Sequence, residues 1–247
     1  MKLGLSTACF YGDIEVEDTI TLYNDIGIKN AEVFLNCPSE YKSEFINELK
    51  KRKGTLNIHS IHAHTSSFEP ELFSPHERTR KDAEETFREI CRAGFELGAK
   101  YYTFHGPFVK KGREVDLDYG KFSARVNQLC EIASSYSMYI AYETVTWAFG
   151  SKPEFFTELL SYCPDLKATL DIKQALINNI DPVRFIEAMG DRMVTVHLCD
   201  IDKSFQSPML PFKGRYNFER FFKELKRCTK NIPAMFIEVY RGNFEDV

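Results

Sequence analysis

The 247-residue chain has no apolar run near the roughly 18 residues of a membrane-spanning helix. Its opening, MKLGLSTACF, lacks a charged stretch leading into a long apolar core. Neither a membrane protein nor a secreted precursor is expected, and the cytoplasm is the expected compartment. Paired cysteines are missing too: Cys9, Cys37, Cys91, Cys130, Cys163, Cys199 and Cys228 are odd in number, scattered and never spaced as CxxC. That excludes a disulfide framework and a thiolate zinc site, and leaves reduced, mostly buried thiols. There is no basic excess either. Lysine and arginine number 32 against 36 aspartates and glutamates, a net charge of −4, which argues against a general nucleic-acid surface. Finally, no linker, low-complexity segment or composition break divides the chain. With 43% hydrophobic residues it can bury a full core, so residues 1–247 are expected to form one domain.

What is present is a rhythm. Short β-rich runs alternate with longer amphipathic ones from end to end. Eight strands are predicted: Lys2 to Ser6, Asn30 to Leu35, Leu56 to His62, Tyr101 to His105, Tyr139 to Glu143, Lys167 to Asp171, Met193 to Leu198 and Ala234 to Val239. Helical patterns lie between them: Val16 to Asp25, Ser39 to Lys51, Pro75 to Leu97, Tyr119 to Tyr136, Lys152 to Ser161, Pro182 to Met189 and Asn217 to Cys228. Eight strand–helix units close most naturally into a (β/α)8 TIM barrel. Only Arg241 to Val247 follows the eighth strand, so the last helix is expected to be missing. The flank beside strands one and eight would then suit a homo-oligomer contact.

Six strands end on a residue that a buried strand does not need: His62, His105, Glu143, Asp171, His197 and Glu238. Two places before the first five stand Ser60, Thr103, Ala141, Thr169 and Thr195, whereas one place before stand larger apolar residues. Alternate residues share a face, so the six belong inside the barrel mouth, over a short polar layer. The eighth strand departs, with Phe236 two places before Glu238. Glu32 and Phe34 share the inward parity. Singly, a histidine is more often structural, and a strand-end acid often caps the next helix. Six at carboxyl ends of barrel strands mark the face where such barrels build their sites. Three carboxylates and an imidazole there would cost several kcal/mol per unpaired charge without a cation. Glu143, Asp171, His197 and Glu238 therefore read as ligands of one divalent ion: Mn²⁺, Mg²⁺, Co²⁺ or Zn²⁺.

With LGLSTACFY, SIHAH, LGAKYYTFHGP, AYETV, TLDIKQAL, VHLCD and FIEVY in this order, the chain resembles the xylose isomerase-like barrel superfamily. That superfamily holds sugar phosphate isomerases and epimerases and endonuclease IV, of AP endonuclease family 2. The Glu, Asp, His and Glu that bind metal in its ketose epimerases match Glu143, Asp171, His197 and Glu238. The resemblance implies metal chelation of a keto sugar, a metal-stabilised enediolate, and proton transfer by Glu143 and Glu238. His62 and His105 would hydrogen-bond substrate oxygens. Two positions depart: Gln174 stands where the epimerases carry His, and Lys203 where they carry Arg. In endonuclease IV the residues matching His62, His105 and Glu143 form a further metal site, so a second ion is open here. That enzyme's third site does not survive.

Around the mouth, Phe10, Tyr11, Phe68, Phe108, Trp147 and Phe149 are candidate walls, with Phe10 and Trp147 placed in the substrate set. Lys110, Lys111, Arg113, Lys203, Lys213, Arg215 and Arg241 are either solvated charge or contacts for an anionic sugar. His59, His64 and His76 read as structural or surface residues. The expected activity is a metal-dependent isomerase or epimerase of a small keto sugar, sugar phosphate or polyol. A dehydratase of a keto-polyol and a two-metal phosphoesterase are the alternatives.

Overall fold

The computed structural model describes residues 2–64, 68–109, 116–202 and 207–244. Eight parallel strands close into a barrel: β1 (Leu3–Ser6), β2 (Asn30–Leu35), β3 (Asn57–Ala63), β4 (Tyr101–Phe104), β5 (Tyr139–Glu143), β6 (Lys167–Asp171), β7 (Met193–Leu198) and β10 (Ala234–Ile237). Each pairs with its neighbour in the chain, and β10 returns to pair with β1. The expected (β/α)8 architecture is present. His105 and Glu238 lie just past their strands, at the start of the loops.

Helices α1 (Val16–Asp25), α2 (Ser43–Arg52), α3 (Glu77–Leu97), α4 (Tyr119–Ser134) and α5 (Pro153–Tyr162) follow the first five strands. α6 (Ile172–Ile177) and α7 (Pro182–Met189) follow β6, and α8 (Phe218–Cys228) precedes β10. α3 shows the local logic. Ala83, Phe87, Ile90, Cys91, Gly94 and Leu97 form one buried stripe, and Gly98 ends the helix in the left-handed region at φ 82°. Asp118, Asp181 and Asn217 cap α4, α7 and α8 by accepting backbone N–H groups.

The structure corrects two expectations. The helix expected from Ser39 begins at Ser43, because Pro38–Tyr41 forms a 3-10 turn in which Glu40 accepts the Asn36 N–H at 2.6 Å. α6 was not expected as an element, since six residues carry too little periodicity. A two-residue ribbon, β8 (Asp200–Ile201) with β9 (Pro208–Met209), also departs from the simple repeat. The Asp200 carboxylate holds that loop by accepting from Ile201 N, Gly214 N and Tyr216 N. Among the described residues no α-helix follows β10; Arg241–Asn243 makes one 3-10 turn, and the Phe244 ring meets Phe10 edge-on at 6.0 Å. Leu3 on β1 stays 52% exposed.

Phe236, which broke the pattern of short inward residues, is accommodated by Gly4. The two are register partners across β1 and β10, and a Cβ on Gly4 would stand 2.8 Å from the Phe236 ring and collide with the Asn30 carbonyl. Beneath the mouth the ring packs beside His59, which bonds Thr195 Oγ1 at 3.2 Å. Overpacking of this kind costs about 1–3 kcal/mol or more. Gly4→Ala should lower the unfolding free energy by about 3 kcal/mol in urea titration, with little change in slope.

Candidate functional site

The strand-end residues converge as their parity requires. His197 is fully buried on β7, with Glu32 Oε1 2.9 Å from its Nε2 and Glu143 Oε1 2.8 Å from its Nδ1. Glu238 Oε2 is 3.5 Å from the same Nδ1. Glu32 is anchored from the polar layer: Ser60 Oγ and Thr103 Oγ1 donate to its Oε2 at 2.6 and 2.7 Å. A fixed carboxylate beside Nε2 holds a proton there, so Nδ1, facing the acids, is the nitrogen that would turn a lone pair to a cation.

Asp171 serves two purposes. One oxygen caps α6 by accepting Gln174 N at 3.0 Å, and the other lies 3.6 Å from the Lys173 ammonium. Its backbone is held by Thr144, whose Oγ1 accepts Asp171 N at 2.7 Å. The capping role and the mouth position are therefore compatible.

A second group meets at the other oxygen of Glu143. His105 Nε2 is 2.6 Å from Glu143 Oε2, His62 Nε2 is 4.0 Å from it, and the two imidazole nitrogens are 3.2 Å apart. Glu69 backs His105. Its carboxylate accepts His105 N and Gly106 N, both at 2.9 Å, and the Tyr102 hydroxyl at 2.5 Å, with His105 Nδ1 3.6 Å away. Gly106 sits at φ 76°, and a Cβ there would strike the Tyr142 hydroxyl.

These groups charge one another. Burial would lower the pKa of His105, but Glu143, with Glu69 behind it, holds the imidazolium up to about 10. Burial would likewise lower that of His197, yet Glu238, Glu32 and Glu143 push it well above the ordinary range. Burial would raise Glu143 and Glu32; the neighbouring imidazoles outweigh it and hold both carboxyls low. Asp171 is raised by burial, against the pull of Lys173. Despite the short distances, Glu32 Oε1, Glu143 Oε2, Glu238 Oε2 and both His197 ring nitrogens lack a well-directed hydrogen bond. Buried donor atoms gathered without directed bonds are what a cation site requires. Three sets lie close enough to hold one: Glu143–Asp171–His197, Glu32–His197–Glu238 and His62–His105–Glu143. With one imidazole and three carboxylates, the four expected ligands suit a divalent ion.

Above the acids opens a cavity of about 230 Å³, lined by His62, His105, Glu143, Asp171, Gln174 and Glu238, with Trp147, Phe34 and Tyr11 as aromatic walls. It is smaller than the roughly 300–1,000 Å³ of ordinary ligand clefts, so it suits a small molecule. Gln174 Oε1 accepts Thr146 N at 3.2 Å, which leaves its amide N–H groups for the cavity. Phe10 does not line it. That residue is 3% exposed and packs on Tyr23 and Phe244, because the 3-10 turn Thr7–Phe10 aims it into the core and leaves Tyr11 at the rim. Phe68 is core as well, and Phe108 packs on Trp147 at 4.8 Å. Lys203, Lys110, Lys111 and Arg113 lie outside the described residues. Lys213, Arg215 and Arg241 do not line the cavity, and Arg241 pairs with Asp13 at 3.7 Å.

Sequence reasoning missed Lys173, Glu69, Tyr240 and the wall position of His64. Lys173 carried a faint signal, a lysine set in the apolar run IKQAL directly after a strand-end acid. Glu69 carried none, since its partners are a hydroxyl on β4 and two N–H groups just past it.

Two measurements check this electrostatic picture. His105 titrates at about 10 folded against 6.5 for a free imidazole, so its stabilising contribution is full below about 6.5 and lost as pH rises through about 10. The unfolding free energy of metal-free protein should fall across that window, and His105→Asn should flatten the fall. Glu69→Ala strands three buried donors and should cost about 3 kcal/mol in urea titration.

A family model described as Xylose isomerase-like TIM barrel matches residues 20–243. Among solved structures, a D-tagatose 3-epimerase-like protein superposes with TM-score 0.79 at 20% identity, covering 98% of this chain and 92% of that one. A probable 3-DHS dehydratase of Bacillus anthracis involved in petrobactin synthesis gives 0.75 at 17%, covering 96% and 92%. The IOLI protein, solved with a zinc atom, gives 0.77 at 15%, covering 97% and 90%. At these identities the structural likeness is one of fold. The match to the family model is of another kind, running from α1 to the turn after β10, and by it the chain belongs to the xylose isomerase-like TIM barrel family.

Proposed function

We propose that the chain is a divalent-metal-dependent isomerase or epimerase of a small keto sugar, acting by proton abstraction beside a carbonyl. The observation that carries this reading is the grouping at His197 Nδ1. Glu143 and Glu238 both reach it, at 2.8 and 3.5 Å, and each keeps a buried oxygen without a directed hydrogen bond beside a small cavity. Two carboxylates facing one cavity can take and return a proton. Sugar epimerases with the same fold support the substrate class.

A divalent ion held by Glu143, Asp171, His197 and Glu238 would supply Lewis-acid polarisation of the carbonyl. The chain's own groups do the rest. One of the two glutamates removes the proton from the carbon beside the carbonyl. Return to the opposite face of that carbon is epimerisation, and return to the neighbouring carbon is isomerisation. His62 and His105 hydrogen-bond substrate oxygens, and the free N–H groups of Gln174 reach a hydroxyl. Trp147 and Phe34 keep water from the exchanging proton. Lys203 belongs to the same proposal as a substrate contact. If the first proton loss is followed by departure of a neighbouring hydroxyl, the same residues run a dehydration, which a dehydratase of this fold keeps in view.

One observation favours a second reading. His62, His105 and Glu143 bring three ligand atoms within reach of one ion, so a two-metal phosphoesterase is the competing mechanism. A DNA substrate fits poorly, because the cavity is small and Lys173 is the only lysine or arginine lining it among the described residues.

Both readings meet at two assays. In D₂O, exchange of the carbon-bound proton over a panel of ketoses should fall by about a thousandfold in Glu143→Gln and in Glu238→Gln. Undiminished exchange in either variant would remove that residue as an essential base. After chelation and reloading, elemental analysis should give one ion per chain; two, with phosphoester cleavage, would favour the hydrolase.

A further inference from the structure

Lys173 is the unexpected member of the site. It lies in the first turn of α6, two residues after Asp171, is 6% exposed, and lines the cavity. Its ammonium stands 3.6 Å from Asp171 Oδ2 and 3.9 Å from Glu238 Oε1, and 5.0 Å from the centre of the Tyr240 ring. Both carboxylate contacts are too long for hydrogen bonds, which for charged N–H donors fall at about 2.7–2.9 Å. The ammonium therefore neutralises through space without occupying the oxygen lone pairs. A lysine in direct contact would have covered the atoms a cation needs.

We propose that Lys173 tunes the charge of the metal site, supplying one positive charge to Glu143, Asp171 and Glu238 so that a divalent ion is held more loosely than the three acids alone would hold it. The same ammonium repels an ion bound to oxygens it faces at under 4 Å, and in a buried site that repulsion is poorly screened. Before an ion binds, it relieves the mutual repulsion of the acids. The inference rests on reading these residues as a metal site.

The test uses Zn²⁺ and Co²⁺ in competition with a chromophoric chelator, at one pH and salt concentration, on wild type, Lys173→Met, Lys173→Gln and Lys173→Arg. Removing the charge should tighten binding by about tenfold or more in the Met and Gln variants, while Arg stays within about threefold of wild type. Met and Gln variants within about twofold of wild type, or weaker, would overturn the role of Lys173 and leave the metal site standing. Failure of wild type and variants alike to bind one ion per chain would instead sink the metal site itself. Should the uncharged variants fold only with metal, release from the loaded protein into excess chelator gives the same decision. It should be about tenfold slower than wild type if Lys173 repels the ion, and unchanged if it does not.

Discussion

Negative charge held away from water is the constraint on which this structure turns. Glu32, Glu143, Asp171 and Glu238 are each at most 4% exposed and gather about one imidazole at the carboxyl end of the barrel. Carboxylates in such a place stay ionised only if something compensates them. Each acid is answered differently: Glu32 by two hydroxyls and His197, Asp171 by a helix N-terminus and Lys173, Glu143 by two imidazoles. Glu238 has the least, with Lys173 at 3.9 Å and His197 at 3.5 Å. A cation placed among them is the term that the protein's own groups do not fully supply.

The barrel makes this arrangement affordable by separating packing from chemistry. Outward residues such as Ile61, Phe104, Tyr142 and Val196 are fully buried against the helices, so the strands are held irrespective of what faces inward. The inward layer of Ser60, Thr103, Thr169 and Thr195 is then free to be polar. It does more than fill space, since two of its hydroxyls fix Glu32 and thereby the ring of His197. Where a bulky ring breaks this layer, at Phe236, a glycine opposite absorbs it.

The pattern of strands was legible because parity is a local property: alternate residues share a face whatever the rest of the chain does. Hence His62, His105, Glu143, Asp171, His197 and Glu238 could be placed together before any contact was known. Contacts that depend on loop geometry were not legible. Phe10 and Tyr11 are adjacent, and only the course of a 3-10 turn decides which of them faces the cavity. Glu69 stands 36 residues from His105, whose N–H it accepts, in a loop whose sequence says nothing of β4. Lys173 was hidden in a helix too short to show a period.

Glu143 belongs to two groups at once, and its two oxygens divide them: Oε1 faces His197 and Oε2 faces His105. An ion among His62, His105 and Glu143 must first displace the proton that Glu143 holds on His105. With that imidazolium held up to about 10, an ion there would bind more tightly as pH rises toward that value. An ion on the His197 side draws on the same carboxylate and weakens its grip on the His105 proton. The two sites would thus be coupled through a shared ligand, and an ion on the His197 side has a proton of its own to displace, since Glu238, Glu32 and Glu143 hold that imidazole charged as well. While Glu143 keeps its hold on the His105 proton, His105 is able to donate to a substrate oxygen. That is the state the isomerase reading needs.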